Sequence, residues 1–464
     1  MYGFHPRWPR ISRHVGTLDI EMKDPSTGGL RAGFGRRNIT PPEPCFLVGY
    51  PHAERTSTGV HDPLFASVLC LENEGSPAVL VSLDVLFVTA EWTRDCREVI
   101  SRQTGLPAEA ILISATHTHS GPHTAEILAW RDDPVVPPVN PNYLAFLREQ
   151  TADAVLEAWQ SRQPAEGAWV TADVRGLAGG NRLDPGGVED PEAGLLLVQS
   201  EKGRPLAVLS IYGMHPTVLH EDSTLFSSDF IGFTRQTIEA ALPGAGVVYL
   251  NGACGNQSPR RAVTAQTFAE AARIGRALGE SMVEALLGNK QFTREFPVGH
   301  ATCTLQLEGK RFPAWPEAGA NLARARAHYE RLRAKGAPNG ALRTAECTVF
   351  GAEEVLTLAK AEQSGDAEAL REKYRSQEIQ ILRLGERTVA AWPGEFFAEY
   401  GLQIKRRAAR RSFLVTMANG ELQGYVVTPE AEAAGGYETQ MSLFPASAGA
   451  AFVEATVSLI GEMT

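Results

Sequence analysis

The sequence predicts an α/β fold: a mixed, largely parallel sheet flanked by helices, with the active site at the carboxyl ends of the strands. Three observations predict it. Apolar runs of strand length alternate along the 464 residues with longer segments of helical period. Hydrophobic residues make up 43% of the chain, enough to bury a sheet covered on both faces. Reactive side chains fall where apolar runs end, the edge at which open α/β sheets bind their ligands.

The body of the chain begins at Arg31-Ala32-Gly33-Phe34-Gly35 and turns at Thr40-Pro41-Pro42. The apolar runs at 66–71 and 78–83 read as strands, and helical period follows over 90–103. A strand at 110–114 precedes a long helix over 141–160; strands at 195–199 and 207–212 precede a helix over 230–241. Then come a strand at 247–250 and helices at 266–287, 319–335 and 352–374. Strands at 378–384, 388–391 and 413–417 surround a helix at 395–408, and a last helix covers 448–460. The stretch 301–376 is rich in charge and helix and reads as a helical insertion within one unit spanning 30–464; residues 1–29 read as an N-terminal extension.

Composition excludes several classes. With 44 Lys and Arg against 54 Asp and Glu, the net charge of −10 argues against a nucleic-acid partner. The basic string KRRAARR at Lys405–Arg411 reads as a solvated face or a helix terminus complementing its dipole. No apolar run of about eighteen residues spans a membrane. The first thirty residues lack the apolar core of a secretory signal, and the six cysteines are widely spaced without a C-x-x-C pair. Reduced thiols and a cytoplasmic location are therefore expected.

Three histidines lie within nine residues in ATHTHSGPH, from Ala115 to His123, directly after a strand-like run. In an extended chain His117 and His119 would project to one side, which suits a divalent metal. An isolated His-x-His pair is ordinarily a pair of hydrogen-bonded loop residues, because catalytic zinc takes three protein ligands. Other strand ends add to it. The run before His215-Pro216-Thr217 ends at a proline that cannot extend a ladder, so His215 is expected at the last strand position, facing a crevice. The next strand runs into Asn251-Gly252-Ala253-Cys254-Gly255-Asn256-Gln257-Ser258-Pro259, whose glycines allow close backbone approach. Pro393-Gly394-Glu395 places a carboxylate where a helix is expected to start. Two imidazoles and a carboxylate form a His2Glu set with an open position, suited to amide or ester cleavage.

Nine motifs stand in one order: AGFGRRNITPP, GVHDPLFA, ATHTHSGP, NRLDP, MHPTV, SSDFIG, GACGNQSPR, WPGEFF and GYVVTPEAEAAGGYETQ. In these the chain resembles the neutral, non-lysosomal ceramidases, zinc amidases that hydrolyse the N-acyl bond of ceramide. The resemblance implies a Zn2+ site made of His117, His215, Glu395 and Tyr425, the tyrosine's ordinary pKa of about 10 being lowered by the cation. It implies that His119 holds the carbonyl oxygen or moves a proton, and that Arg182 and Tyr437 stabilise an oxyanion. Ser258 matches the family's catalytic serine; either it attacks the acyl carbon, or zinc-bound water does and Ser258 orients the substrate. A Ser-Pro turn opener is the ordinary structural reading of the same residue.

Some positions depart from the family pattern. The resemblance implies a short form, lacking the family's C-terminal β-sandwich domain. Arg182-Leu183-Asp184-Pro185 stands for Arg-Ser-Pro, Asn256 for the aspartate of the serine turn, and Glu430-Ala431-Glu432 for Glu-Glu-Tyr. The metal set is intact and the substrate-facing set is altered. The function implied is a zinc-dependent amidohydrolase of N-acylsphingosine or a related lipid amide. The alternatives are a zinc hydrolase of a soluble amide, ester or lactone, or a non-catalytic ligand-binding relative. An exported protein is the alternative location, since the family is often exported.

Overall fold

The computed structural model describes residues 12–14 and 29–463. The expected N-terminal extension, and the reading of it as lacking a signal segment, therefore lie outside the described residues apart from the strand Ser12–His14 and Gly29.

Two sheets and two helical layers stack in the order helix, sheet, sheet, helix. The larger sheet has eight strands in the order Gly246–Asn251, Pro205–Tyr212, Glu192–Ser200, Gln163–Asp173, Arg31–Asn38, Phe65–Asn73, Ser76–Leu83, Ile111–Ala115. The smaller has five: Ser12–His14, Val298–Gln306, Ser376–Leu384, Arg387–Ala391, Ser412–Val415. Leu69, Leu80, Leu112, Leu196, Leu209 and Val248 of the first sheet meet Leu382, Leu384, Val389, Phe413 and Val415 of the second in one apolar layer between them. Helices Ala90–Thr104 and Pro141–Gln160, with Phe230–Ala241 and Phe268–Leu287, cover the outer face of the larger sheet. Ala398–Arg407 and Ser447–Glu462 cover the smaller.

The mixed sheet flanked by helices is the architecture the sequence predicts, with a difference in where parallel pairing occurs. Within the larger sheet it is confined to the two ends, where a helix carries the chain back: Ser76–Leu83 with Ile111–Ala115, and Pro205–Tyr212 with Gly246–Asn251. The ladders between are antiparallel. Short connections impose this. Phe65–Asn73 and Ser76–Leu83 are joined by Glu74 and Gly75, both at positive φ (52° and 80°), the backbone of a tight hairpin that no parallel pair can use.

The sheet curls until its ends meet. Ser82 donates to the carbonyl of Tyr249, far along the strand order, at 2.6 Å, and Asn251 Nδ2 donates to the carbonyls of Thr116 (3.1 Å) and Met214 (3.2 Å). Thus the residues preceding two of the histidines share one amide. Strands Gln163–Asp173 and Val298–Gln306 escape the sequence reading because polar and apolar residues alternate along them, as expected where only one face is buried. The helix expected over 352–374 is two, Asn339–Ser364 and Asp366–Arg375, broken at Gly365, whose φ of 87° a helix cannot contain. These, with Trp315–Ala334, leave and rejoin the smaller sheet at Gln306 and Ser376, which are register partners.

Contact between the sheets is close at Gly194, where an added Cβ would lie 2.5 Å from the Phe413 ring. Gly194→Ala forces that ring or a strand to shift; the expected cost is about 1–3 kcal/mol, read as a lower urea midpoint with unchanged slope.

Candidate metal centre

The strand Ile111–Ala115 ends two residues before His117, so strand alternation does not aim the two histidines. His117 instead takes a left-handed backbone, φ 69°, held by its N–H on the carbonyl of Val85 at 3.0 Å. A non-glycine residue there costs about 1 kcal/mol or more, a strain that the surrounding bonds must offset. The imidazoles of His117 and His119 still converge, edge to face, with centroids 5.0 Å apart. His117 Nδ1 donates to the carbonyl of Leu86 at 3.0 Å, and His119 Nδ1 to that of Gly49 at 2.9 Å. Gly49 has φ 132°, and a Cβ on it would come within 2.6 Å of the His119 ring nitrogen, so glycine is what lets the loop approach this closely.

His215 lies three residues past its strand, which ends at Tyr212, rather than at the last ladder position. Its Nδ1 faces the carbonyls of Cys254 (2.8 Å) and Gln257 (3.0 Å). Glu395 is not in a helical first turn either. Glu395–Phe396 pairs in parallel with Tyr425–Val426, and the helix begins only at Ala398. Trp392, fully buried, anchors this segment: its indole N–H donates to Thr456 at 2.9 Å and its ring packs on Phe396 and Phe452.

Ligand-capable nitrogens of His117, His119 and His215 all lie within 4.8 Å of one another. Glu395 Oε2 is 2.9 Å from His215 Nε2 and 3.5 Å from His117 Nε2. A carbonyl can only accept, so each Nδ1 carries its hydrogen and, on a neutral imidazole, each Nε2 presents a lone pair; at His215 that lone pair faces the Glu395 carboxylate at 2.9 Å, a contact that needs a cation or a proton between the two. Burial, then the Arg182 charge, pushes His215 down to about 4. Burial, with His117 and His215 beside it, holds His119 well below its ordinary value. Burial alone would raise Glu395, but the His117 and His215 imidazoles outweigh it and hold the carboxyl well below its usual range. Nε2 of His117 and of His119 are buried without a hydrogen-bond partner. Three lone pairs and a carboxylate converging in a buried space, each imidazole oriented by a carbonyl behind it, fit a divalent cation.

The remaining expected residues fall beside this cluster. Arg182 Nη1 is 3.5 Å from His215 Nε2, its Nε donates to Glu438 at 2.8 Å, and its Nη2 is buried without a partner. Tyr425 is the register partner of Glu395; its ring lies 5.1 Å from the Arg182 guanidinium carbon and 5.8 Å from the Tyr437 ring. Burial pushes the Tyr425 hydroxyl well above its ordinary value, against the pull of Arg182, and Tyr437 is raised in the same way. Ser258 pairs with Gly180 next to Gln257, and its hydroxyl accepts from Arg260 N at 3.4 Å at the head of the turn Pro259–Arg261. Sequence reasoning missed Glu438, the buried partner of Arg182, although it adjoins Tyr437. The ring of His119, which the sequence paired with His117 and the family resemblance placed on the substrate side, lies within the same cluster. The carbonyls of Gly49, Leu86 and Cys254 carry no signal in residue type.

No family model matches the chain. It is 24% identical over 251 residues to neutral ceramidase A of Dictyostelium discoideum, a match covering 49% of this chain and 35% of that protein, so about a third of the relative's length. Among solved structures, neutral ceramidase from Pseudomonas aeruginosa is similar with a TM-score of 0.74 at 18% identity, over 94% of this chain and 74% of that one. A ceramidase complexed with C2 is similar at 0.73 and 17%, over 94% and 75%. The resemblance borne by the ordered motifs is thus shown: this chain has the fold of the neutral ceramidases and is related to one of them in sequence over about half its length.

Proposed function

We propose that this chain is a zinc-dependent hydrolase of a carbon–nitrogen amide bond, acting on N-acylsphingosine or a related lipid amide. The observation that carries the reading is the convergence of His117, His119, His215 and Glu395, with every Nδ1 committed to a carbonyl. Zinc bound there supplies Lewis acidity toward an acyl carbonyl and toward water.

The chain's own residues do the rest. Arg182 keeps a buried, unshared N–H beside His215, a donor for the negative charge that develops on an amide oxygen. His119 is neutral at pH 7 and can take or return a proton at Nε2. Tyr437 walls the same space with a hydroxyl donor, and Tyr425, the register partner of Glu395, is the remaining expected ligand, a role in which the cation must outweigh the burial that raises its hydroxyl. Ser258 accepts a backbone N–H, a turn-capping role that gives it no base, so water is the nucleophile in our reading. Ser258→Ala should then lower kcat by less than about tenfold, whereas loss of a nucleophile would cost about 10^4 or more; single-turnover kinetics separate the two.

One observation favours the second reading, a soluble amide, ester or lactone. The large apolar side chains most exposed among the described residues, Val60, Leu183, Val188, Leu287 and Trp315, are dispersed, and only Leu183 and Val188 share a loop, the one leaving Arg182. Metal analysis of purified protein followed by hydrolysis of N-acylsphingosines of graded chain length tests both. Turnover rising with chain length supports the lipid substrate; activity confined to short acyl groups moves the assignment to a soluble one. A zinc-loaded protein hydrolysing no acyl amide would be a binding relative.

A further inference from the structure

Two of the ordered motifs, GVHDPLFA and SSDFIG, put no side chain into the imidazole cluster, yet the fold joins them directly beside it. Their short strands Gly59–Val60 and Leu225–Phe226 pair in parallel, setting Asp62 against Ser227 and Ser228. Asp62 is buried and its carboxylate is fully occupied. Oδ1 takes the Ser227 hydroxyl at 2.6 Å and faces His61 Nδ1 at 2.8 Å, while Oδ2 takes the Ser228 N–H at 2.9 Å and hydroxyl at 2.8 Å.

The turn gripped in this way holds both histidine loops. Ser227 accepts from Thr118 Oγ1 at 2.7 Å and donates its N–H to the carbonyl of Ser120 at 3.1 Å, so it pins the chain on either side of His119. Asp229 accepts from the N–H of Leu219 at 2.9 Å, four residues beyond His215, and donates its own N–H to the Ser227 hydroxyl at 3.0 Å. Asp229 sits at φ 56°, a backbone that an aspartate adopts rarely, so the shape of the turn is imposed by these bonds rather than by local preference. Each link in the path from Asp62 to the two loops is a buried hydrogen bond of 3.1 Å or less.

We propose that Asp62 is a positioning residue of the metal centre: by clamping the turn 227–229 it sets His119 and His215 at their mutual distance before an ion arrives. The proposal rests on the metal reading above. The carboxylate accepts from both hydroxyls and from the Ser228 N–H at once. Asparagine, keeping its oxygen on the Ser228 N–H, would turn an NH2 toward Ser227 and reverse that bond, so the Ser227 hydroxyl would have to accept from it as well as from the Asp229 N–H, which loosens the grip on the turn.

Zn2+ and Co2+ titrations of metal-free full-length Asp62→Asn and Ser227→Ala, with the Co2+ visible spectrum and the melting temperature of each metal-free protein, form the test. Asp62→Asn should bind both ions about 10 to 100-fold more weakly than the parent, with a changed Co2+ band, and Ser227→Ala should move the same way by less. A lower melting temperature accompanied by parental affinity and spectrum overturns the clamp, since that is what a purely structural role gives. If Asp62→Asn fails to fold, Ser227→Ala decides: it keeps the backbone bonds to the histidine loop, and parental metal binding in it overturns the proposal. A parent chain that takes up neither ion overturns the metal reading, and the clamp with it; uptake by the parent with unaltered variants overturns the clamp alone.

Discussion

His117→Ala empties the metal site. With His119 kept for proton transfer, losing His117 leaves one imidazole, the Glu395 carboxylate and a Tyr425 hydroxyl that burial keeps protonated, fewer basic donors than the three protein ligands of a catalytic zinc. After dialysis the variant should hold well under a tenth of the parental zinc. Amide hydrolysis should fall by about 10^3-fold or more, the several kcal/mol of transition-state stabilisation that a lost Lewis acid represents. Because His117 has a left-handed backbone, alanine also meets strain, and His117→Asn is the paired variant: asparagine tolerates that backbone but cannot place a nitrogen where Nε2 lies. Both variants should be empty by elemental analysis, and only the alanine variant should show the added loss of stability. Full zinc content in either one would remove His117 from the ligand set.

The second large effect is on stability. Arg182 and Glu438 form an ion pair with each side chain about 8% exposed. Burial opposes the charge, but the Glu438 and Glu395 carboxylates beside it outweigh that and keep the guanidinium charged. Arg182→Met leaves the Glu438 carboxylate without its partner in a dry space, and breaking such a pair from one side costs about 3–5 kcal/mol. Guanidinium denaturation should show that loss as a lower midpoint. The double variant Arg182→Met, Glu438→Met should recover most of it, because two apolar side chains carry no desolvation penalty. It should nevertheless remain impaired in turnover, since the unshared N–H of Arg182 has gone with the pair. A double variant no more stable than the single one would show that the cost lies in packing rather than in the stranded charge.

How far the centre is legible differs residue by residue. His117 and His215 stand out because imidazoles at the ends of apolar runs are uncommon and chemically costly to waste. Glu395 is visible in the sequence but ambiguous, since a carboxylate after Pro-Gly is what an ordinary helix start would carry. Only its pairing with Tyr425 separates the two meanings. His119 is legible as a participant; its closeness to the other two imidazoles depends on Gly49 yielding space from a loop 70 residues away. Glu438 is hidden because one glutamate among 54 acidic residues carries no mark of burial.

By itself the sequence determined the alternation of strands and helices, the absence of a membrane-length apolar run and the residue types able to hold a cation, because all of these follow from local period and side-chain chemistry. Tertiary structure decided that the parallel pairs lie at the ends of the larger sheet and that those ends curl together. There Asn251 bonds to the residues preceding both His117 and His215. Convergence of side chains 98 and 180 residues apart depends on strand order, curl and carbonyl placement. These are backbone properties, set by the summed packing of two sheets, and no residue type records them.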